Sequence, residues 1–243
     1  MEILFADFLQ GIFSIIYALI TTIIGIKISS KYFKYRERNL LLVGIAWIGM
    51  GFVYFAISLR FLAYLTFRIL IIDEICFALI NPIVILPLLC WVAAMTELLS
   101  LKKKQRRIIL IIYIIISIFY EIMTFYFLFT DYKYIGKFVG LLRVEWAIFS
   151  IITFTFFMGT ILISGILFAL KCLIAEKAEI KFQGKILLTA FTSYFIYGVL
   201  DLLLPITSVG LIISRSLLVS SALEFYLGFM LPEWLKKRIN KID

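Results

Sequence analysis

The sequence predicts an all-α membrane protein, a bundle of seven transmembrane helices. Composition, run length and the distribution of charge lead to that reading. Hydrophobic residues make up 64% of the 243 and charged residues 16%, with a mean hydropathy of +1.10. A soluble domain is roughly half apolar and about a quarter charged. The apolar residues come in runs of about 20, the length a helix needs to cross a hydrocarbon core. These runs leave no stretch for a soluble domain, so 1–231 reads as one transmembrane domain and 232–243 as a tail.

In order, the helices are expected at about 5–29, 40–59, 69–97, 108–129, 147–172, 186–205 and 208–231. Between them lie "KYFKYRERN" at 31–39, a short 60–68, "SLKKKQRR" at 100–107 and "TDYKYIGKFVGLLRVE" at 130–145. "AEKAEIKFQGK" at 175–185 and "ITS" at 206–208 complete the connections. The first run follows the acidic "MEILFAD", lacks a cationic leader and is long enough to span, so it is a helix and not a signal peptide.

Basic residues set the orientation. Alternating the loops puts five between Lys27 and Arg38, five between Lys102 and Arg107, four between Lys171 and Lys185 and four from Lys236 onward on one side, 18 of 24. The positive-inside bias of short loops then places the N-terminus outside and the C-terminus in the cytoplasm of a multi-pass cell-membrane protein. A formal charge of +9 arranged this way orients the chain and argues against a nucleic-acid partner.

The chain has no His, which excludes His-based zinc sites and Ser-His hydrolases. No metal site and no catalytic residue is expected. Thr207 to Trp234 contains no Lys, so helix seven offers no Schiff-base partner; no cofactor, retinal included, is expected. Cys76 and Cys90 are 14 residues apart on one helix, about 21 Å along its axis, beyond disulfide reach.

Shifting the sequence by 147 residues lays Trp47 on Tyr194, Gly51 on Gly198 and Arg68 on Arg215. The match suggests a parallel 3+1+3 repeat with helix four unpaired. Ser14, Ala18, Thr21 and Gly25 form a small-residue seam on helix one, and Gly44 with Gly51 a second on helix two; such seams let helix backbones pack closely in lipid.

Ionisable groups at membrane depth cost at least a few kcal/mol each and mark functional sites or pairs. In "IIDEICFALINP", Glu74 and Asn81 are seven residues apart, on one face about 10 Å apart. Asp73 reads as a rim residue that meets Arg68 or Arg60 and tolerates change. Pro82 and Pro87 should kink helix three. Ser117, Glu121 and Thr124 line one stripe of helix four. Glu74, Asn81 and Glu121, with Arg215 or Arg68 at the rim, are therefore candidates for an outward-facing polar cavity that holds a small ligand. Asp201 and Arg215 are equidistant from the turn near Ser208 and form a candidate ion pair. Glu224 on helix seven is a buried carboxylate suited to proton coupling or to hydrogen bonding in a receptor core.

Aromatic residues of helix four and the following loop, Tyr113, Tyr120, Tyr126, Tyr132, Tyr134 and Trp146, read as interfacial anchors. Pro232 ends helix seven, and Trp234, Leu235, Ile239 and Ile242 face away from Lys236, Lys237 and Lys241. This is the pattern of an interfacial amphipathic helix held by anionic head groups of membrane lipids, and a surface for a cytoplasmic signalling partner; a homo-oligomer is a further expected assembly.

The Trp in "LLLVGIAWIGMGFVYF", the Pro-interrupted helix three running into a basic loop in "ILPLLCWVAAMTELLSLKKKQRR", and the Pro that closes helix seven resemble the seven-helix sensor region of prokaryotic histidine kinases. The resemblance implies a freestanding sensor- or receptor-like bundle, since no kinase module follows Asp243. The Asn-Pro of G-protein-coupled receptors falls in helix three and not helix seven, and no Asp-Arg-Tyr follows helix three. The alternative is a small-solute or ion transporter or channel built on the 3+1+3 repeat. Its helices one, two and five lack the Pro of sugar-type seven-helix carriers. A lipid-modifying membrane enzyme is a third reading, for which no Asp-rich metal motif or activated nucleophile speaks.

Overall fold

A computed structural model describes residues 5–203 and 208–239, and it is helical almost throughout. The helices are α1 (Phe5–Tyr35), α2 (Arg38–Met50), α3 (Phe52–Phe67), α4 (Asp73–Leu98) and α5 (Lys103–Thr130). They continue as α6 (Ile148–Leu173), α7 (Ala178–Leu203), α8 (Ser208–Met230) and the short α9 (Glu233–Ile239). Among the described residues six helical segments are long and apolar enough to cross a membrane: α1, α2 with α3 (Arg38–Phe67), α4, α5, α6 and Val209–Met230. That composition suggests a multi-pass membrane protein. The equally long α7 is not one of the six. The proposed end of helix six at 205, the turn at 206–207, and Lys241 and Ile242 lie outside the described residues.

Several bounds differ from the sequence reading. Helix two does not stop at 59: α2 and α3 run from Arg38 to Phe67 with one break at Gly51. Arg60, expected in the 60–68 connection, is inside α3. Arg68 takes a left-handed φ of 56° and caps α3, its N–H donating to the Tyr64 carbonyl, so it does not begin the next helix. That helix starts at Asp73, where Asp73 and Glu74 fill the first turn. Carboxylates there face the unsatisfied N–H groups and the positive end of the helix dipole, which accounts for two acids in so apolar a run.

The 130–145 connection is not an open loop. A 3-10 turn (Tyr132–Tyr134) leads into an antiparallel hairpin of β1 (Gly136–Val139) and β2 (Arg143–Trp146), with Val139 opposite Arg143. Gly140 holds φ +78° at the turn, a left-handed conformation Gly adopts without a steric penalty. Ile135, Leu141 and Leu142 are fully buried, so the hairpin plugs one end of the bundle.

Packing is closest where side chains are smallest. A Cβ placed on Gly44 would sit 2.6 Å from the Gly25 carbonyl oxygen, and one on Gly25 would sit 2.7 Å from the Gly44 oxygen. The α1 and α2 backbones therefore touch, the contact small-residue seams permit in lipid. Ser14 and Thr21 are buried on the same α1 face and donate to the carbonyls of Gln10 (2.7 Å) and Tyr17 (2.9 Å), which satisfies their hydroxyls locally.

The core lies toward the end of the bundle opposite the hairpin. Phe225 of α8 meets Trp47 of α2 edge-on at 4.4 Å between centroids and Phe191 of α7 at 4.7 Å. Phe191 in turn meets Trp91 of α4 at 5.8 Å. These four rings, fully buried, tie α2, α4, α7 and α8 together. Trp91 Nε1 donates to Ser164 Oγ of α6 at 2.9 Å. Beside it a cavity of about 40 Å³ opens between α2, α4 and α6, walled by Gly49, Pro87, Trp91 and Phe157. Its lining is almost wholly apolar.

Candidate functional site

Two buried arginines organise the polar groups, and both stand toward the hairpin end. The first is Arg215. It lies seven residues into α8, about 10 Å from its start, and is 6% exposed. Its Nη1 donates to the hydroxyls of Tyr54 (3.0 Å) on α3 and Tyr197 (2.6 Å) on α7. The two hydroxyls also hydrogen-bond one another. Its Nη2 meets Asp201 Oδ1 of α7 at 3.1 Å, while Asp201 Oδ2 accepts from the Tyr197 hydroxyl at 3.3 Å. The guanidinium lies 5.3 Å and 5.5 Å from the Tyr54 and Tyr197 ring centroids, and Tyr17 of α1 packs edge-on against Tyr54 at 4.8 Å. Four helices thus converge on one cation. Its Nε–H is buried and has no partner among the described residues.

The second is Arg60 of α3, 4% exposed. Its Nη1 pairs with Asp73 Oδ1 at 2.7 Å, its Nε donates to the Leu141 carbonyl at 2.9 Å, and its guanidinium stacks 3.8 Å from the Phe138 ring centroid. Gln10 Nε2 donates to the next carbonyl, Leu142, at 3.1 Å. Arg60 and Gln10 therefore anchor the hairpin from beneath. Asp73 meets Arg60, not Arg68.

The remaining polar candidates divide. Asn81 is fully buried; its Nδ2 donates to the Phe77 carbonyl at 3.0 Å and its Oδ1 accepts from the Tyr120 hydroxyl at 2.7 Å. Tyr120, read as an interfacial anchor, is instead buried between α4 and α6, stacked on Phe149 at 5.6 Å. Glu121 is half-buried one residue on, and its Oε2 has no partner among the described residues; Ser117 and Thr124 are buried beside it. Glu74 is exposed at the first turn of α4 and Arg68 is exposed on its cap. Partial burial and the nearby Asp73, Glu74 and Asp131 carboxylates push the Tyr132 hydroxyl above its ordinary range. The structure brings Asp201 to Arg215 and Tyr120 to Asn81. It does not gather Glu74, Asn81, Glu121, Arg68 and Arg215 around one cavity among the described residues: Arg215 belongs to the tyrosine cluster, and Glu74 and Arg68 are exposed. Glu224 is half-buried and accepts from Ser220 Oγ at 2.8 Å.

Tyr54 and Tyr197 were not among the residues singled out from the sequence. Tyr197 stands four residues before Asp201, which puts both on one helical face; that spacing was the available signal. Tyr54 carried none, because its partners come from α7 and α8.

No protein-family model matches the chain, and neither curated proteins nor solved structures give a match.

Proposed function

We propose that the chain is a sensor- or receptor-like integral protein of the cell membrane that takes a small ligand near its outer end. In this reading α7 also spans, as helix six of seven, the N-terminus and hairpin are outside, and the C-terminus is cytoplasmic. The observation that carries it is the division of the interior. Charged and hydroxyl groups are held around Arg215 and Arg60 toward the hairpin end, and beneath them Trp47, Phe225, Phe191 and Trp91 fill the bundle. A filled aromatic core suits a bundle that reports occupancy by shifting helices against one another better than one that opens a polar path. The resemblance of helices two, three and seven to the sensor region of prokaryotic histidine kinases supports the same reading. Flux into liposomes, measured beside ligand-dependent thermal stabilisation, tests it: stabilisation without flux is expected, and substrate-coupled flux would overturn it.

One observation favours the alternative of a 3+1+3 transporter or channel. α1 packs on α2, and α2 on α4; in the same way α6 packs on α7, and α7 on α8. Between the two sets α1 meets α8 and α4 meets α6, contacts that interchange when the sets are exchanged. Against that symmetry stands the pair Arg68 and Arg215, the one on a cap and the other inside a helix.

Orientation is tested by labelling. The helix ends and connections that carry 17 of the 18 basic residues assigned to one side, Lys241 lying outside the described residues, gather at the end opposite the hairpin, so a Cys at Ser208 should react from outside and one at Ser100 only from the cytoplasm. The reverse pattern would turn the bundle over in the membrane and put the Arg215 cluster at the cytoplasmic end. At the basic end, α9 leaves Trp234 exposed beside Lys236 and Lys237, an arrangement that fits docking on anionic lipid head groups.

A further inference from the structure

We propose that the Nε–Nη2 edge of Arg215 is a carboxylate-binding site whose resident occupant, Asp201, is exchangeable. A ligand carboxylate displaces Asp201 and so loosens α7 from α8. The inference rests on reading the chain as a ligand-responsive bundle, and it names the class of ligand.

The guanidinium is only partly used. Nη1 is filled by the hydroxyls of Tyr54 (3.0 Å) and Tyr197 (2.6 Å), which fix the plane of the group. Nη2 holds a single oxygen of Asp201 at 3.1 Å. The second Asp201 oxygen faces Tyr197 at 3.3 Å and leaves the buried Nε without a partner among the described residues. A carboxylate with both oxygens on Nε and Nη2 makes the parallel two-bond fork that guanidinium geometry favours. It would satisfy the orphaned donor that Asp201 misses, and a buried donor without an acceptor is costly.

Asp201 is built to leave. Arg215 is almost wholly buried, yet the Asp201 side chain is 42% exposed, near the end of α7. Released, it can be solvated; the arginine cannot. Charge selects the ligand too. Exchanging one monoanion for another keeps the cluster neutral, whereas a dianionic phosphate would leave a surplus negative charge among buried tyrosines.

The carboxylate can arrive from water as a small solute or from the bilayer as the head of an amphiphile. The test uses the purified full chain in zwitterionic nanodiscs with butyrate, dodecanoate and dodecanol, read by the shift in Tm. At least one carboxylate should raise Tm and dodecanol should not. Butyrate alone acting means an aqueous route, and dodecanoate alone a membrane route; either supports the site. Asp201→Asn replaces the anionic occupant of Nη2 with a neutral, weaker one, so its apparent affinity should rise about tenfold. Arg215→Lys keeps the charge but not the fork and should lose the response; if it does not fold, the Asp201→Asn comparison decides. No response to either carboxylate in the parent and in Asp201→Asn, or equal affinities in the two, would overturn the inference. Failure with both carboxylates while another solute stabilises without flux leaves the sensor reading standing. A carboxylate that binds through Arg215 and also crosses liposomes keeps the site and removes the sensor reading.

Discussion

Arg215→Gln should be among the most destabilising single changes in this chain. It strips the donors from two tyrosine hydroxyls and one carboxylate at the meeting of α3, α7 and α8. Truncating one member of a buried, hydrogen-bonded charge cluster costs about 3–5 kcal/mol. Asp201→Asn should cost less, about 1 kcal/mol, because its carboxylate is partly exposed and screened while the new amide oxygen can still accept from Nη2. Tyr54→Phe and Tyr197→Phe should each cost about 1 kcal/mol, the usual worth of one buried hydrogen bond. The diagnostic is the double variant. With the guanidinium gone, Asp201 has lost the group that held it, so Asp201→Asn in the Arg215→Gln background should add almost nothing to the loss of Tm in detergent. Strict additivity would mean that the two side chains do not interact in the folded protein.

The partners in that cluster show how far a sequence of this kind can be read. Helices were legible because apolar length is a direct physical requirement of the bilayer, and α5 (Lys103–Thr130) and α6 (Ile148–Leu173) fall close to the stretches expected. The depth match of Asp201 and Arg215 was legible too, since both count seven residues from one turn. Boundaries set by charge were less so. The connection expected at 60–68 begins at Arg60, yet α3 continues past it; Asp73, Phe138 and the Leu141 carbonyl supply its solvation from inside the protein, where an isolated arginine would be expensive. That information lies 13 and about 80 residues away. The hairpin was hidden for a related reason. Burial does alternate along both strands, but each is only four residues long, the short limit of a period-2 signal, and the most buried residues, Ile135, Leu141 and Leu142, sit before β1 and in the turn. Gly51, read as part of a seam, marks the break between α2 and α3 as well, and a Cβ added there would run into the Thr21 hydroxyl.

Arg60→Met should loosen the hairpin before it unfolds the bundle. The substitution keeps an apolar stem of similar length but leaves the Leu141 carbonyl and the Asp73 carboxylate without their donor. It also removes the cation from the face of Phe138. Breaking a buried pair on one side carries a cost of about 3–5 kcal/mol. Here the loss falls on a segment that can open by itself, since among the described residues β1 and β2 pair only with each other and are pinned to the helices through Arg60, Gln10 and a few apolar contacts. Local opening of that kind draws on less than the global stability. Limited proteolysis should therefore cut Arg60→Met near Gly140 well before the helices, with Gln10→Ala showing a weaker form of the same cleavage. Asp73→Asn should fall between Gln10→Ala and Arg60→Met. Its side chain is 22% exposed, so it is not the freely replaceable rim residue its position suggested, but its loss leaves Arg60 with the Leu141 carbonyl and the aromatic face. Equal cleavage of the parent and Arg60→Met at Gly140, with Tm unchanged, would show that the arginine does not hold the hairpin down. Cleavage at that turn with ligand stabilisation intact would separate the hairpin's anchorage from the Arg215 cluster, which shares no side chain with it.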